Sequence, residues 1–178
     1  PLPDSSWLVG ARGLQVDPRW PQGARRALEL ARASSVISLF DGDVAPAESL
    51  QALAPLANWV VFSSDGLRAW GGDSAAPIET VFHGACEALP DTQLAVTLGA
   101  KGLLWRPCGR SSAHWPSFTV PVVNTNGAGD ALHGVLLMAL AEGAPAEVAL
   151  RLGMAAGALT CTGQAFGRAE VAAMAGVG

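Results

Sequence analysis

The chain has 178 residues, of which half are hydrophobic and 15% are charged, and its net charge is −4. This length fits one domain, and the composition excludes a disordered chain because it supplies enough apolar surface for a core. The acidic balance argues against a nucleic-acid partner or a membrane surface. Three unpatterned cysteines predict neither a disulfide framework nor a metal knuckle. With no visible signal peptide or membrane-spanning run, we expect a cytoplasmic protein.

Short apolar runs alternate with helical patterns along the chain. The patterns predict, in chain order, a helix over 22–33, a strand over 35–40, a helix from residue 46, a strand over 59–62, a turn or helix entry at 63–66, a loop at 71–74, a helix over 78–88 and a strand over 94–98. A strand-rich region up to Val123 follows, and then helices over 128–142, 145–161 and 168–175. This alternation predicts an α/β fold in which helices cover both faces of a mostly parallel central sheet, within one domain over 1–178.

The strongest chemical motif is Gly127-Ala128-Gly129-Asp130, which follows an extended apolar stretch and opens an amphipathic helix. The glycines allow a ligand to approach the backbone closely, and a helix start offers free N–H groups to an anion. A carboxylate beside such an anion site suits phosphoryl transfer, because it can accept the proton of the attacking hydroxyl. The alternative is that the glycines only ease a tight turn and that Asp130 only caps the helix.

Two stretches of the chain resemble one enzyme family. The segment from Asn124 to Gly134, which contains the glycine-aspartate motif, is similar to the C-terminal signature of the ribokinase-like (PfkB) carbohydrate kinases. The stretch Val96-Thr97-Leu98-Gly99-Ala100-Lys101-Gly102 resembles the strand and loop that lie beside the nucleotide in that family. Asp41-Gly42-Asp43 and the strand ending at Ser63 also match the family pattern.

The resemblance implies a ribokinase-like three-layer sandwich that uses ATP and Mg²⁺ to phosphorylate a hydroxyl of a small sugar. Asp130 would be the catalytic base, and Gly127, Ala128 and Gly129 would form the anion hole. The resemblance also implies a set of residues along the nucleotide site, namely Thr97, Gly99, Gly102, Asn124, Ala156 and Leu159. It assigns no residue of this chain as a metal ligand.

Three positions depart from the family pattern. Asn124 stands where the family has an aspartate that helps to hold an activating monovalent cation, which leaves activation by such a cation open. The family's Asn-x-x-Glu element, which is linked to magnesium and phosphate, falls on Ser63-Ser64-Asp65-Gly66 and lacks both of its end residues. The loop over 161–167, between the last two helices, is shorter than usual.

The resemblance begins well inside the family's nucleotide-binding domain, so the chain corresponds to about the C-terminal three-fifths of a family-sized kinase. The family's N-terminal strands and its lid would then be absent, which predicts an exposed sheet edge and a homo-oligomer. Two other functions stay open: a nucleotide- or phosphate-binding module without catalytic activity that needs a partner, and a self-associating domain without a ligand. The motif is shared by kinases of many sugars and does not identify the substrate.

Overall fold

The computed structural model describes residues 1–72 and 75–177. Two residues of the predicted 71–74 loop, Asp73 and Ser74, lie outside the described part of the chain. Backbone contacts divide the chain into two compact units. Unit 1 comprises Pro1–Leu98 with Leu103–Trp115, and unit 2 comprises Gly99–Gly102 with Pro116–Gly178. The prediction of a single domain over 1–178 stays a prediction.

Unit 1 contains one sheet whose strand order in space equals the order in the chain. The six strands found within the described residues are β1 (Gly13–Val16), β2 (Ile37–Gly42), β3 (Trp59–Ser63), β4 (Gln93–Thr97), β5 (Leu103–Arg106) and β6 (Ala113–Trp115). Strands β1 to β4 run parallel, whereas β5 and β6 are added in antiparallel pairs. The predicted α/β class with a mostly parallel sheet is therefore confirmed.

Helices follow the parallel strands in unit 1 and make up most of unit 2. Those of unit 1 are α1 (Pro21–Ala33), α2 (Ala47–Leu53), α3 (Ser64–Gly71) and α4 (Ile78–Ala88), and those of unit 2 are α5 (Ala128–Ala141), α6 (Ala146–Cys161) and α7 (Arg168–Ala175). Every predicted helix is present with nearly its predicted bounds, and the ambiguous residues 63–66 turn out to start α3. No helix in the described residues is both long and apolar enough to cross a bilayer.

One hydrophobic cluster of unit 1 lies on one face of the sheet. Alternate residues of the central strands, among them Phe40, Val60, Phe62 and Val96, point to this face and are buried. Leucines, alanines and phenylalanines from α1 to α4 pack against them, and Leu50 is one that is fully buried. Helices α1, α2 and α3 begin just after the parallel strands β1, β2 and β3, so their starts gather at the carboxyl edge of the sheet, which is the ligand edge of open α/β sheets.

The predicted strand-rich region ends earlier than expected. Residues 116–127 contain no strand, although strands were predicted up to Val123. Pro116 and Pro121 have no N–H group to donate to a ladder, which explains why the sheet stops before them. The apolar stretch that enters the glycine motif is therefore irregular, and the side chains of Val122 and Val123 are 63% and 76% exposed rather than buried in a strand.

Candidate active site

The glycine-aspartate motif forms the start of α5 in unit 2. Gly127 is the N-cap residue and adopts a left-handed backbone with φ 77° and ψ 0°, a conformation that favours glycine. No side chain caps this helix start. The first N–H groups of a helix have no acceptor within the helix, and the positive end of the helix dipole lies at the same place. The start of α5 is therefore suited to an anion.

The turn before α5 is tied to its surroundings through the backbone. The Asn124 side chain accepts a hydrogen bond from the Asn126 N–H at 2.9 Å, which closes a local turn. The N–H groups of Val123 and Asn124 both donate to the Cys161 carbonyl oxygen, at 2.8 Å and 3.3 Å. The end of α6 thus fastens the chain that leads into the motif, and the Asn124 amide serves this turn.

Two glycines of α6 allow it to lie directly against the backbone of α5. A Cβ added at Gly157 would lie 3.0 Å from the Ala128 carbonyl oxygen, and one added at Gly153 would lie 2.8 Å from the Leu132 carbonyl oxygen. A larger residue at either position would push α5 away from α6. The first two turns of α5 are therefore held in place from the side of α6.

Gly129, in the first turn of α5, has no neighbouring backbone against it, unlike the two glycines of α6. A Cβ added there would meet no atom within 4 Å, so this glycine is not required by packing. Gly129 and Asp130 are both exposed, and Asp130 is the third residue of the helix. The Ala128 N–H donates to the Thr125 carbonyl oxygen at 3.2 Å. One exposed turn therefore combines the positive end of a helix with a carboxylate, a pairing that can bind an anion and accept a proton.

The second predicted segment follows the sheet. Thr97 is the last residue of β4, and Gly99–Lys101 form a short 3-10 turn. Gly99 and Gly102 have φ of 59° and 93°, and the Gly102 N–H donates to the Gly99 carbonyl oxygen at 2.9 Å. Thr97 belongs to unit 1, whereas Gly99–Gly102 belong to unit 2 together with α5. The structure thus brings the loop glycines and the α5 motif into one compact unit.

Two residues predicted to lie along the nucleotide site, Ala156 and Leu159, differ in exposure. Ala156 is fully buried in α6 and packs in a cluster with Val171 and Ala175 of α7. Its side chain has no surface left for a ligand, because the apolar packing of α7 against α6 occupies it. Leu159, one turn further along α6, is half-buried at the edge of the same cluster and keeps part of its surface.

A polar cluster in unit 1 was not found from the sequence. The Ser63 hydroxyl donates to the Asp43 carboxylate at 3.0 Å and accepts the Gly66 N–H at 2.9 Å, so Ser63 caps α3. A Cβ added at Gly66 would lie only 1.9 Å from the Gly42 carbonyl oxygen. A serine three residues before a glycine, at the end of a strand, was the one local signal of this cap.

The close approach of Gly66 to Gly42 affects whether the protein can offer a magnesium ligand at position 66. Gly66 stands where the resemblance places the glutamate of the Asn-x-x-Glu element, and the 1.9 Å approach leaves no room for any side chain there. Among the described residues, no group of three or more His, Cys, Asp or Glu is placed to hold a metal ion. These residues therefore do not fit a magnesium ion held by the protein alone.

Comparison with known proteins agrees with the motifs. The profile described as pfkB family carbohydrate kinase matches residues 8–169. A candidate ribokinase from Agrobacterium tumefaciens is 32% identical with a TM-score of 0.87, and the match covers 97% of this chain and 58% of that one. The bifunctional protein HldE of Bradyrhizobium sp. (strain ORS 278) is 35% identical over 91 residues, which are 51% of this chain and 18% of HldE.

A third comparison shows likeness of fold. The ribokinase of Arabidopsis thaliana, whose structure was solved with ribose and ATP, is 19% identical with a TM-score of 0.79. The match covers 98% of this chain and 59% of the Arabidopsis protein. The chain therefore spans about three-fifths of the length of the two ribokinase structures.

Proposed function

The chain belongs to the pfkB family of carbohydrate kinases, and we propose that it transfers a phosphoryl group from ATP to a hydroxyl of a small sugar. The observation that carries this proposal is the exposed start of α5, where a left-handed Gly127 and an unobstructed Gly129 precede the exposed Asp130. The fold shared with a ribokinase that binds ribose and ATP supports the same substrates. The proposed setting is the cytoplasm.

In the proposed reaction Asp130 is the base. Its carboxylate accepts the proton of the sugar hydroxyl while the hydroxyl oxygen forms a bond to the γ-phosphorus and the bond from that phosphorus to ADP breaks. The N–H groups of Gly127, Ala128 and Gly129 offset the negative charge that builds on the transferred group. The loop at Gly99–Gly102, with Thr97 before it, and the partly exposed Leu159 are assigned to ATP.

Magnesium enters this proposal with the nucleotide. Mg²⁺ commonly keeps several waters and binds through substrate phosphates with only one or two carboxylates of the protein. When bound, it would neutralise phosphate charge. The turn made by Asn124 gives a monovalent cation no carboxylate at that position, so we propose that activity does not depend on such a cation.

The test is the variant Asp130→Asn, which removes the base and keeps the shape of the side chain. We expect phosphoryl transfer to fall by about 10²- to 10⁴-fold while ATP binding stays within about twofold. Asp91→Asn is the matched control, because Asp91 is also exposed but precedes β4 at the opposite end of the strand from Thr97. Equal turnover of Asp130→Asn and Asp91→Asn across a panel of sugars would contradict the proposed role.

A second candidate is a nucleotide- or phosphate-binding module without turnover that acts with a partner. One observation favours it: position 66 has no room for a carboxylate. In the described residues β1 pairs only with β2, so its other edge is the proposed contact for a second copy. ATP binding by calorimetry with no turnover would favour this candidate, and turnover by the isolated chain would exclude it.

A further inference from the structure

Two consecutive serines at the start of α3 reach towards different neighbouring strands. The Ser63 hydroxyl donates to the carboxylate of Asp43, which directly follows β2. The Ser64 hydroxyl donates to the carbonyl oxygen of Thr97, the last residue of β4, at 2.7 Å. Strand β3 lies between β2 and β4 in the sheet, so the two hydroxyls connect the carboxyl ends of three parallel strands.

The start of α3 is held firmly enough to aim these hydroxyls. The Gly66 N–H donates to the Ser63 hydroxyl, and the backbone at Gly66 lies directly against the Gly42 carbonyl oxygen. Ser64 is half-buried, which protects its bond to Thr97 from competing water. The first turn of α3 therefore has little freedom to shift relative to β2 and β4.

The hydrogen bond from Ser64 to Thr97 lies where β4 ends and the chain continues into the glycine loop at 98–102. The β3–β4 register ends with Ser63 opposite Thr97, and Ser64 makes its bond one residue beyond that pair. Only Leu98 separates Thr97 from Gly99, where the left-handed turn begins. A shift of the Thr97 carbonyl would also shift Leu98 and the start of this loop, because the backbone is continuous.

We propose that Ser64 is a positioning residue for ATP: its hydroxyl fixes the end of β4 and thereby the glycine loop at 98–102. This inference rests on the proposed function, in which that loop binds the nucleotide. In this proposal Ser64 acts on the backbone of β4 and not on a substrate. Its contribution comes from removing alternative conformations of the loop before the nucleotide arrives.

The experiment compares three variants of the full 178-residue chain. Ser64→Ala removes the hydroxyl, Ser64→Thr restores one, and Ser49→Ala is the control because Ser49 is a half-buried serine of α2 in the same unit. The readouts are hydrogen exchange of the segment 98–102, measured without a nucleotide, and the dissociation constant of ATP with Mg²⁺ by calorimetry. Both are independent of catalytic turnover.

We expect Ser64→Ala to speed exchange in the segment 98–102 and to weaken ATP binding about five- to tenfold, the size that the loss of one hydrogen bond predicts. Ser64→Thr should return both values most of the way, and Ser49→Ala should leave both unchanged. Exchange in Ser64→Ala equal to that of Ser49→Ala would overturn the inference, whether or not ATP binds. Faster exchange with unchanged ATP affinity would also overturn it. A wild-type chain that binds no ATP would refute the proposed function, and the nucleotide role of Ser64 with it.

Discussion

Two helix starts of this protein make opposite use of their free N–H groups. At α3 the chain satisfies the helix start itself, because the Ser63 hydroxyl accepts the Gly66 N–H. At α5 the N-cap is Gly127, no side chain reaches the N–H groups, and the first turn is exposed. The first helix start is closed by its own sequence, whereas the second is left available to a ligand.

Glycine has a different purpose at each of the two places. Gly66 is needed because a neighbouring carbonyl oxygen, that of Gly42, occupies the space of a Cβ. Gly129 has no atom of the protein in that space. Gly129 also lies in the exposed first turn of α5, where the proposed function places a phosphate against the backbone. Substitution of the two glycines therefore separates packing from binding.

The largest expected effect is that of Gly66→Ala. The added methyl group would lie 1.9 Å from the Gly42 carbonyl oxygen, so the start of α3 must move. We expect the free energy of unfolding, measured by urea denaturation, to fall by about 3 kcal/mol, the upper part of the range for overpacking. Gly84→Ala is the control, since Gly84 lies in α4 with no atom within 4 Å of the added group, and it should not destabilise. Equal stabilities of Gly66→Ala and Gly84→Ala would show that packing does not require a glycine at position 66.

Gly129→Ala should produce the opposite pattern. The methyl group fits the protein, so the free energy of unfolding should stay constant or rise by up to about 0.5 kcal/mol. The same group would keep a phosphate from the N–H groups, and we expect ATP affinity to fall about tenfold, as for the loss of a charged hydrogen bond. Gly134→Ala, also in α5 and also unobstructed, is the calorimetric control and should bind ATP normally. Normal ATP affinity in Gly129→Ala would mean that the exposed turn binds no anion.

Ser63→Ala tests the closed helix start. Loss of the hydroxyl leaves the Gly66 N–H without its cap, and loss of an N-cap costs about 1 kcal/mol of stability. Ser63→Thr should recover most of this loss, and the Ser49→Ala variant described above serves as the control. Thermal and urea unfolding report the effect. A loss no larger than that of the control would show that Ser63 does not stabilise α3.

The smallest expected effect concerns a third helix start, that of α7, which is capped by a charge. The Glu170 carboxylate accepts hydrogen bonds from its own N–H and from the Gly167 N–H, and these bonds hold the pKa of the carboxyl below its usual value. Because the pKa is lowered on folding, this cap stabilises the protein above the pKa of the unfolded chain, near 4.5, and the contribution is lost as the pH falls through the folded value. A carbon-detected titration should place the pKa of the Glu170 carboxyl below the usual value for a glutamate. A pKa at or above that usual value would contradict the cap.

Local patterns predicted much of this protein. Apolar spacing located the helices and the central strands within a few residues, because burial on one face repeats every 3.6 residues in a helix and every two in a strand. The glycine-aspartate motif was predicted to open a helix, and Gly127 does adopt the left-handed conformation that only glycine takes readily. The family resemblance rested on the same short segments, and the family profile confirmed it.

The features that the sequence alone did not predict depend on residues far apart in the chain. Ser64 and Thr97 are separated by 33 positions, and their hydrogen bond follows from the parallel pairing of β3 and β4. The requirement for Gly66 comes from a carbonyl oxygen on another strand, and the burial of Ala156 comes from the packing of α7. Local chemistry therefore determined where the helices start and which residue types they carry. Tertiary contacts decided which distant segments meet at those starts, such as the Gly42 carbonyl oxygen against Gly66, because only packing sets the distance between segments that the chain separates.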